Sequence, residues 1–387
     1  MDRQQEGVLT LIRSAVTGQA LALPEDFDLD SSLPLLKRHQ LTALACAGAL
    51  NCGLVPGAQL FEGYGKSLKK SEDQLRILKK LFAAFDENGI AYLPLKGSNM
   101  KALYPRPELR VMGDADILIR LEQYAQIVPI LESLGFEFQV ESDHELIWHA
   151  KGLHLELHKR LIPSYNEDYY AYFGDGWRLA KKQAGCRYAL SPEDDLIYQF
   201  THFAKHYRDG GIGCRHVTDL WVYKRHFPNL DTAYIRRELD KLQLLAFYDN
   251  ICRLVGVWFE GAPADQMTDF ISEFIFESGS WGKARDHTIS AEVRNTQAAG
   301  SVFAGWLRSV QLVLFPSLEN LSVKYPILKK APWLLPVFWV VRWFNTLLFR
   351  QDAIRARQKK WQIATPAEIE TYQQALHYVG LDFRFKK

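Results

Sequence analysis

The chain has 387 residues, 48% of them hydrophobic and 24% charged, enough for two or three domains at ~150 residues each. That excludes a disulfide-stapled miniprotein and a highly charged disordered chain. Forty-seven basic residues against 45 acidic ones leave +2 at neutral pH, so long nucleic acid is disfavoured as a partner and any anion is held by a local site.

The N-terminal MDRQQEGVLTLIRSAV lacks the charged-then-apolar profile of a secretory signal and reads as an amphipathic helix. Apolar residues keep helical spacing through LPLLKRHQLTALACAGAL and QLRILKKLFAAF, so residues 1–87 are expected to form a helical N-terminal region. Five scattered cysteines without CxxC spacing (Cys46, Cys52, Cys186, Cys214, Cys252) argue against a disulfide framework and a cysteine zinc site. They point to a reducing cytoplasm.

The period then changes. Ile90 to Leu95 and Ala115 to Ile119 are short apolar runs, and Phe136 to Val140 alternates with period two; all three predict strands. LEQYAQIVPILESLG predicts a helix closed by Gly135. ELIWHA, a Lys151-Gly152 turn and LHLELHK predict an antiparallel hairpin. Residues 88–190 are therefore expected to form an α+β core, a small mixed sheet carrying one or two helices. SPEDDLIYQF opens a capped helix, and residues 191–387 are expected to be a mostly helical C-terminal domain. Within it, GSWGKARDHTISAEVRNT is the most loop-like interior stretch.

Residues 333–349, WLLPVFWVVRWFNTLLF, reach only the short limit for a membrane span and contain Pro336, Arg342 and Asn345. Flanking bases, Lys324, Lys329 and Lys330 before and Arg350, Arg355, Arg357, Lys359 and Lys360 after, suit an interfacial helix on anionic lipid. A core helix of the C-terminal domain is the favoured reading, and membrane-surface contact the less favoured one.

The stretch with most chemical content is YLPLKGSNMKALYPRPELRVMGDADILIR, residues 92–120. A strand running into Lys96-Gly97-Ser98 and then a short helix lets the backbone approach a ligand and aims N–H groups across the turn, an arrangement suited to phosphate. Asp114 and Asp116 flank Ala115 at a strand start, so strand alternation puts both carboxylates on one face. Neighbouring acids repel unless a divalent cation lies between them, and all-oxygen donors suit Mg²⁺ or Mn²⁺ rather than zinc. In His154-Leu155-Glu156-Leu157-His158, period two sends the leucines to the core and His154, Glu156 and His158 to the opposite face. Glu156 is thereby placed to complete a carboxylate triad from a neighbouring strand. Three acids, bound metal and a phosphate-holding turn are what in-line nucleotidyl or phosphoryl transfer requires.

These residues resemble the DNA polymerase β-type nucleotidyltransferase superfamily, and LKGSNMKALYP, LRVMGDADILI and LHLELHKRL together resemble a bacterial family of uncharacterised nucleotidyltransferases. The resemblance is strongest from Leu93 to Leu161. It implies that Gly97 and Ser98 hold nucleotide phosphates, and that Asp114, Asp116 and Glu156 are catalytic and carry Mg²⁺ or Mn²⁺. Lys96 reaches either a phosphate oxygen or only the strand end, and Arg110 either the triphosphate or solvent. Ser98 and Asp114 stand further apart than in the broad superfamily, which leaves YPRPELRVMG as an inserted loop.

His202 and His206 share helical spacing but lack the Glu of HExxH, so a helix–domain boundary role is favoured over zinc. His154 and His158 are read as groups flanking the metal or the substrate. Asp219 is read as a cap or salt-bridge partner. The expected activity is transfer of an NMP group from an NTP to a small-molecule or peptide acceptor, through a hydroxyl or phosphate, with release of pyrophosphate. The competing readings are a non-catalytic binding module on the same fold and a metal-dependent phosphotransferase.

Overall fold

The computed structural model describes residues 1–164, 166–280, 282–299, 311, 314–349 and 365–381. The chain opens with helices α1 (Arg3–Thr17), α2 (Leu33–Arg38), α3 (Thr42–Asn51) and α4 (Ala58–Glu87). Asp2 starts α1 with a capping box to Gln5. The α1–α3 contact is close enough that a Cβ on Gly48 would lie 2.0 Å from the Leu11 carbonyl oxygen, so only glycine fits there.

Strands β1 (Tyr92–Pro94) and β2 (Ala115–Ile119) are separated by α5 (Gly97–Met100), and α6 (Tyr124–Ser133) leads to β3 (Glu137–Glu141), β4 (Glu145–Ala150) and β5 (Leu153–His158). The five strands form one mixed sheet of order β1-β2-β5-β4-β3, parallel only between β2 and β5. The predicted hairpin is β4–β5, turned at Gly152 with φ 97°. One sheet face carries the core: Ala115, Ile117, Ile119, Leu153, Leu155 and Leu157 pack with Leu78, Leu81 and Phe85 of α4 and with Ile127 and Leu131 of α6. Period two then forces the intervening residues of β2 and β5 onto the opposite face.

Helices α7 (Glu167–Phe173) and α8 (Pro192–Arg208) flank a two-stranded ribbon of β6 (Lys181–Lys182) and β7 (Tyr188–Ala189). They are followed by α9 (Arg215–His226), α10 (Thr232–Lys241), α11 (Leu245–Phe259) and α12 (Gln266–Ser278). The fold is thus the expected α+β class, a mixed sheet accompanied by many helices.

Two compact units divide the chain: 1–205 with 212–281, and 206–211 with 282–387. The second holds α13 (Ala284–Ala299), α14 (Leu318–Lys324), α15 (Ile327–Lys330), α16 (Leu335–Phe349) and α17 (Pro366–Tyr378). The loop expected around residues 279–296 is largely the helix α13. Ile289 and Val293, four residues apart, are both buried and give that polar sequence an apolar anchor. Arg285 of α13 pairs with Glu368 of α17, and the Tyr372 hydroxyl donates to the Arg208 carbonyl at 3.1 Å. Among the described residues no helix is long and apolar enough to cross a membrane.

Candidate active site

Asp116 lies on β2 with core residues on either side, so its side chain projects from the sheet face opposite the core. Its register partner on the parallel strand β5 is Glu156. Paired residues of adjacent strands point the same way, so the two acids share a face. That strand is the middle one of five, so Glu156 lies away from both sheet edges. Asp114, two residues before Asp116, is half-buried at the mouth of β2.

Two basic groups converge on the same carboxylate. Lys96 Nζ donates to Asp116 Oδ1 at 2.8 Å, and His158 Nε2 lies 2.9 Å from that oxygen and 3.7 Å from Glu156 Oε2. Burial alone would disfavour every charge here. For Asp116 burial is outweighed by Lys96 and His158, which hold the carboxyl well below the usual range. Burial likewise opposes the Lys96 ammonium, yet the Asp116 charge raises its proton affinity above that of an ordinary lysine. His158 is also raised, its hydrogen bonds to Asp116 and Glu156 overcoming burial. Asp114 is raised by burial and then by the charges of Asp116 and Glu156. Such crowding is the negative potential that a divalent cation relieves.

Asp116, Glu156 and His158 present one ligand atom each within 4.8 Å of one another, and so do His144, Glu145 and His158. The second set follows from the hairpin, which pairs Glu145 with His158 and Ile147 with Glu156. His144 Nε2 lies 3.0 Å from Glu145 Oε2. Nε2 of His158 faces Asp116, and its buried Nδ1 has no hydrogen-bond partner among the described residues. The carboxylates of Asp116 and Glu156, with Asp114 nearby, are the oxygen donors that suit Mg²⁺ or Mn²⁺, whereas the imidazoles of His144 and His158 are not.

Beside the acids, the Lys96–Ser98 turn is fixed by its own hydrogen bonds. Leu95 N–H donates to the Asp116 carbonyl at 2.9 Å, Ser98 Oγ to the Leu95 carbonyl at 2.8 Å, and Asn99 Nδ2 to the Pro94 carbonyl at 2.7 Å. Lys96 itself has φ 42° and ψ −113°, a conformation costly for a residue with a Cβ and sustained here by these surrounding contacts. Gly97 fits so closely that a Cβ would stand 2.9 Å from both Arg110 Nη1 and Met112 Cγ.

Arg110 supports this turn from beneath. Its guanidinium donates to Asp219 Oδ2 at 3.0 Å, and the Tyr104 hydroxyl donates to Oδ1 of the same residue at 2.7 Å; all three are buried. The loop between turn and triad is held carbonyl by carbonyl: Lys101 Nζ binds that of Arg110 at 2.9 Å, Arg215 Nη1 that of Val111 at 3.2 Å, and Gln74 Nε2 that of Met112 at 3.1 Å. YPRPELRVMG is therefore a buttress, clamped from α4 and α9, that delivers Asp114.

The structure brings Lys96, Asp116, Glu156 and His158 into direct contact, with Asp114 inside the same electrostatic field and Gly97 and Ser98 in the turn that carries Lys96. Arg110, read from sequence as facing either the triphosphate or solvent, is buried and paired with Asp219, which is the salt-bridge alternative given for that acid. Unforeseen from sequence are Glu145, His144 and Tyr198. The Tyr198 hydroxyl, fully buried on α8, lies beside Lys96 and within the fields of Lys96 and Asp116. A two-residue hairpin turn fixes cross-strand pairing, so Glu145 was derivable; Tyr198, far away in sequence, was not.

A family model described as "Uncharacterised nucleotidyltransferase" matches residues 25–260, more than half of the chain. No curated protein and no solved structure matches it.

Proposed function

Because the chain belongs to the uncharacterised nucleotidyltransferase family, we propose that it moves an NMP group from an NTP to an acceptor hydroxyl or phosphate, with Mg²⁺ or Mn²⁺ held by Asp114, Asp116 and Glu156. The observation that carries this reading is the register pairing of Asp116 with Glu156, two acids from separate strands on one face beside a glycine turn. When bound, the metal neutralises phosphate charge and lowers the pKa of the attacking hydroxyl.

The chain's own groups then have separable roles. The Gly97-Ser98 turn lies at the start of α5, where backbone N–H groups lack helical acceptors, and offers them to the triphosphate. Lys96 keeps Asp116 ionised and carries positive charge beside the phosphates. Glu156, which pairs with no lysine among the described residues, accepts the proton of the acceptor hydroxyl as that oxygen bonds to the α-phosphorus. The bond from the α-phosphorus to the bridging oxygen breaks, and pyrophosphate leaves with its electron pair. Arg110 and Asp219 position the turn without touching the nucleotide.

Calorimetric titration of each NTP into the full chain, with and without Mg²⁺ or Mn²⁺, tests this assignment. Metal-dependent binding that is lost on Asp114→Asn is expected. Absence of binding for every NTP in the presence of metal overturns it.

A further inference from the structure

Helix α16 carries apolar residues in the wrong place for a soluble core. From Leu335 to Thr346 not one residue is buried. Val337, Val340, Val341 and Phe344 are exposed and, at 100° per residue, fall within an arc of about 100°. Trp333, just ahead of the helix, is 76% exposed, and Phe344 61%. The favoured core reading of this segment is thus not what the structure shows. A stripe of this kind is a contact surface, because leaving several large apolar side chains in water forgoes their burial energy.

The opposite side of α16 is already occupied. Trp339 Nε1 donates to the Pro316 carbonyl at 2.9 Å and Trp343 Nε1 to the Leu314 carbonyl at 2.7 Å, and both rings pack edge-on against Phe315. Phe338 packs against Tyr325. These contacts fix the helix with its valine and phenylalanine stripe turned outward.

Charge identifies the occupant. From residue 320 to residue 351 the sequence has five basic residues and no acid, and through residue 367 it has nine basic residues against the single acid Asp352, in a chain whose total is +2. Lys324, Lys329 and Lys330 are all exposed just before the helix. A second copy of this chain would set base against base. At 15 residues the helix rises about 22 Å, short of the ~30 Å hydrocarbon core, so it lies in an interface rather than crossing it. Tryptophan and phenylalanine facing outward beside lysines are the side chains such an interface takes.

We propose that α16 docks flat on an anionic phospholipid surface, Trp333, Val337, Val340, Val341 and Phe344 entering the acyl boundary and Lys324, Lys329 and Lys330 meeting the headgroups.

Sedimentation of the full chain with vesicles tests this, using phosphatidylglycerol and phosphatidylcholine in a one-to-two ratio against phosphatidylcholine alone. The wild type is expected to pellet with the anionic vesicles and not the neutral ones, and to be released by high salt. Val337→Glu with Phe344→Glu should abolish pelleting. The all-surface triple variant Lys324→Ala, Lys329→Ala, Lys330→Ala, which loses no core contact, should weaken it by about a hundredfold. Wild type remaining in the supernatant with anionic vesicles overturns the proposal, as does equal pelleting of wild type and the triple variant. A dimer by light scattering that Val337→Glu with Phe344→Glu dissociates, without vesicle binding by the wild type, assigns the stripe to self-association instead.

Discussion

Asp116 and Glu156 rise from register partners on two adjacent parallel strands, so strand spacing rather than a flexible loop sets the distance between them. Their surroundings nevertheless differ. Asp116 is buried under Lys96 and His158, whereas Glu156 is half-buried with His158 at 3.7 Å. Their substitutions should therefore separate chemistry from stability. Glu156→Gln is expected to lower nucleotidyl transfer by roughly a thousandfold, ~4 kcal/mol of barrier, while changing unfolding free energy by less than about 1 kcal/mol. Asp116→Ala should lose activity and also ~2–4 kcal/mol of stability, because it removes a buried carboxylate from the half-buried Lys96 ammonium and from buried His158. Denaturant titration of both variants beside their turnover checks the contrast.

Gly97→Ala tests the close fit beneath the turn. Its Cβ would meet Arg110 and Met112 at 2.9 Å, and Arg110 cannot retreat freely because it is held by Asp219. A destabilisation of ~1–3 kcal/mol is expected, together with weaker nucleotide binding by calorimetry. Unchanged stability and unchanged affinity would show that the turn tolerates a side chain.

Asp219→Ala should act on the same site from a distance. It orphans the buried Arg110 guanidinium and the Tyr104 hydroxyl, an expected loss of ~3–5 kcal/mol. Asp219→Asn keeps an acceptor and should recover part of it. Urea denaturation of the pair, compared with wild type, measures the difference.

Much of this site was legible in the sequence, and the reason is periodicity. Alternation in LHLELH separates Leu155 and Leu157 from Glu156 and His158, and the observed burial follows that division, with His158 buried as well by its contact with Asp116. The Asp114–Asp116 spacing and the hairpin turn at Gly152 are local features of the same sort. What periodicity could not reach were partners chosen by tertiary packing: Asp219 of α9 under Arg110, Gln74 of α4 on the Met112 carbonyl, and Tyr198 of α8 beside Lys96. The α13 helix was missed for the same reason, since the buried apolar pair Ile289 and Val293 outweighs a polar, glycine-led composition. For residues 333–349 hydropathy gave the amount of apolar surface but not its direction.

A pH signature is expected from Asp195. Burial pushes its carboxyl up to about 6, more than the hydrogen bonds from Gln199 and Tyr223 offset. Between pH ~4, the unfolded value, and about 6, the folded chain binds the proton more tightly than the unfolded one. This contribution to stability is full below pH ~4 and lost as pH rises through about 6. Asp195→Asn should therefore gain at most ~3 kcal/mol over wild type above neutrality and nothing near pH ~4. Urea midpoints across the range measure it, and a gap that does not change with pH contradicts the assignment.

The most direct test of the central claim follows the fate of label from an NTP carrying distinguishable isotopes at the α- and γ-phosphates, incubated with the full chain, Mg²⁺ and pools of small-molecule or peptide acceptors. The α-label should appear on an acceptor with stoichiometric pyrophosphate, and Glu156→Gln should abolish that transfer while still binding the nucleotide. Movement of the γ-label alone, or α-label transfer that survives Glu156→Gln undiminished, contradicts the account.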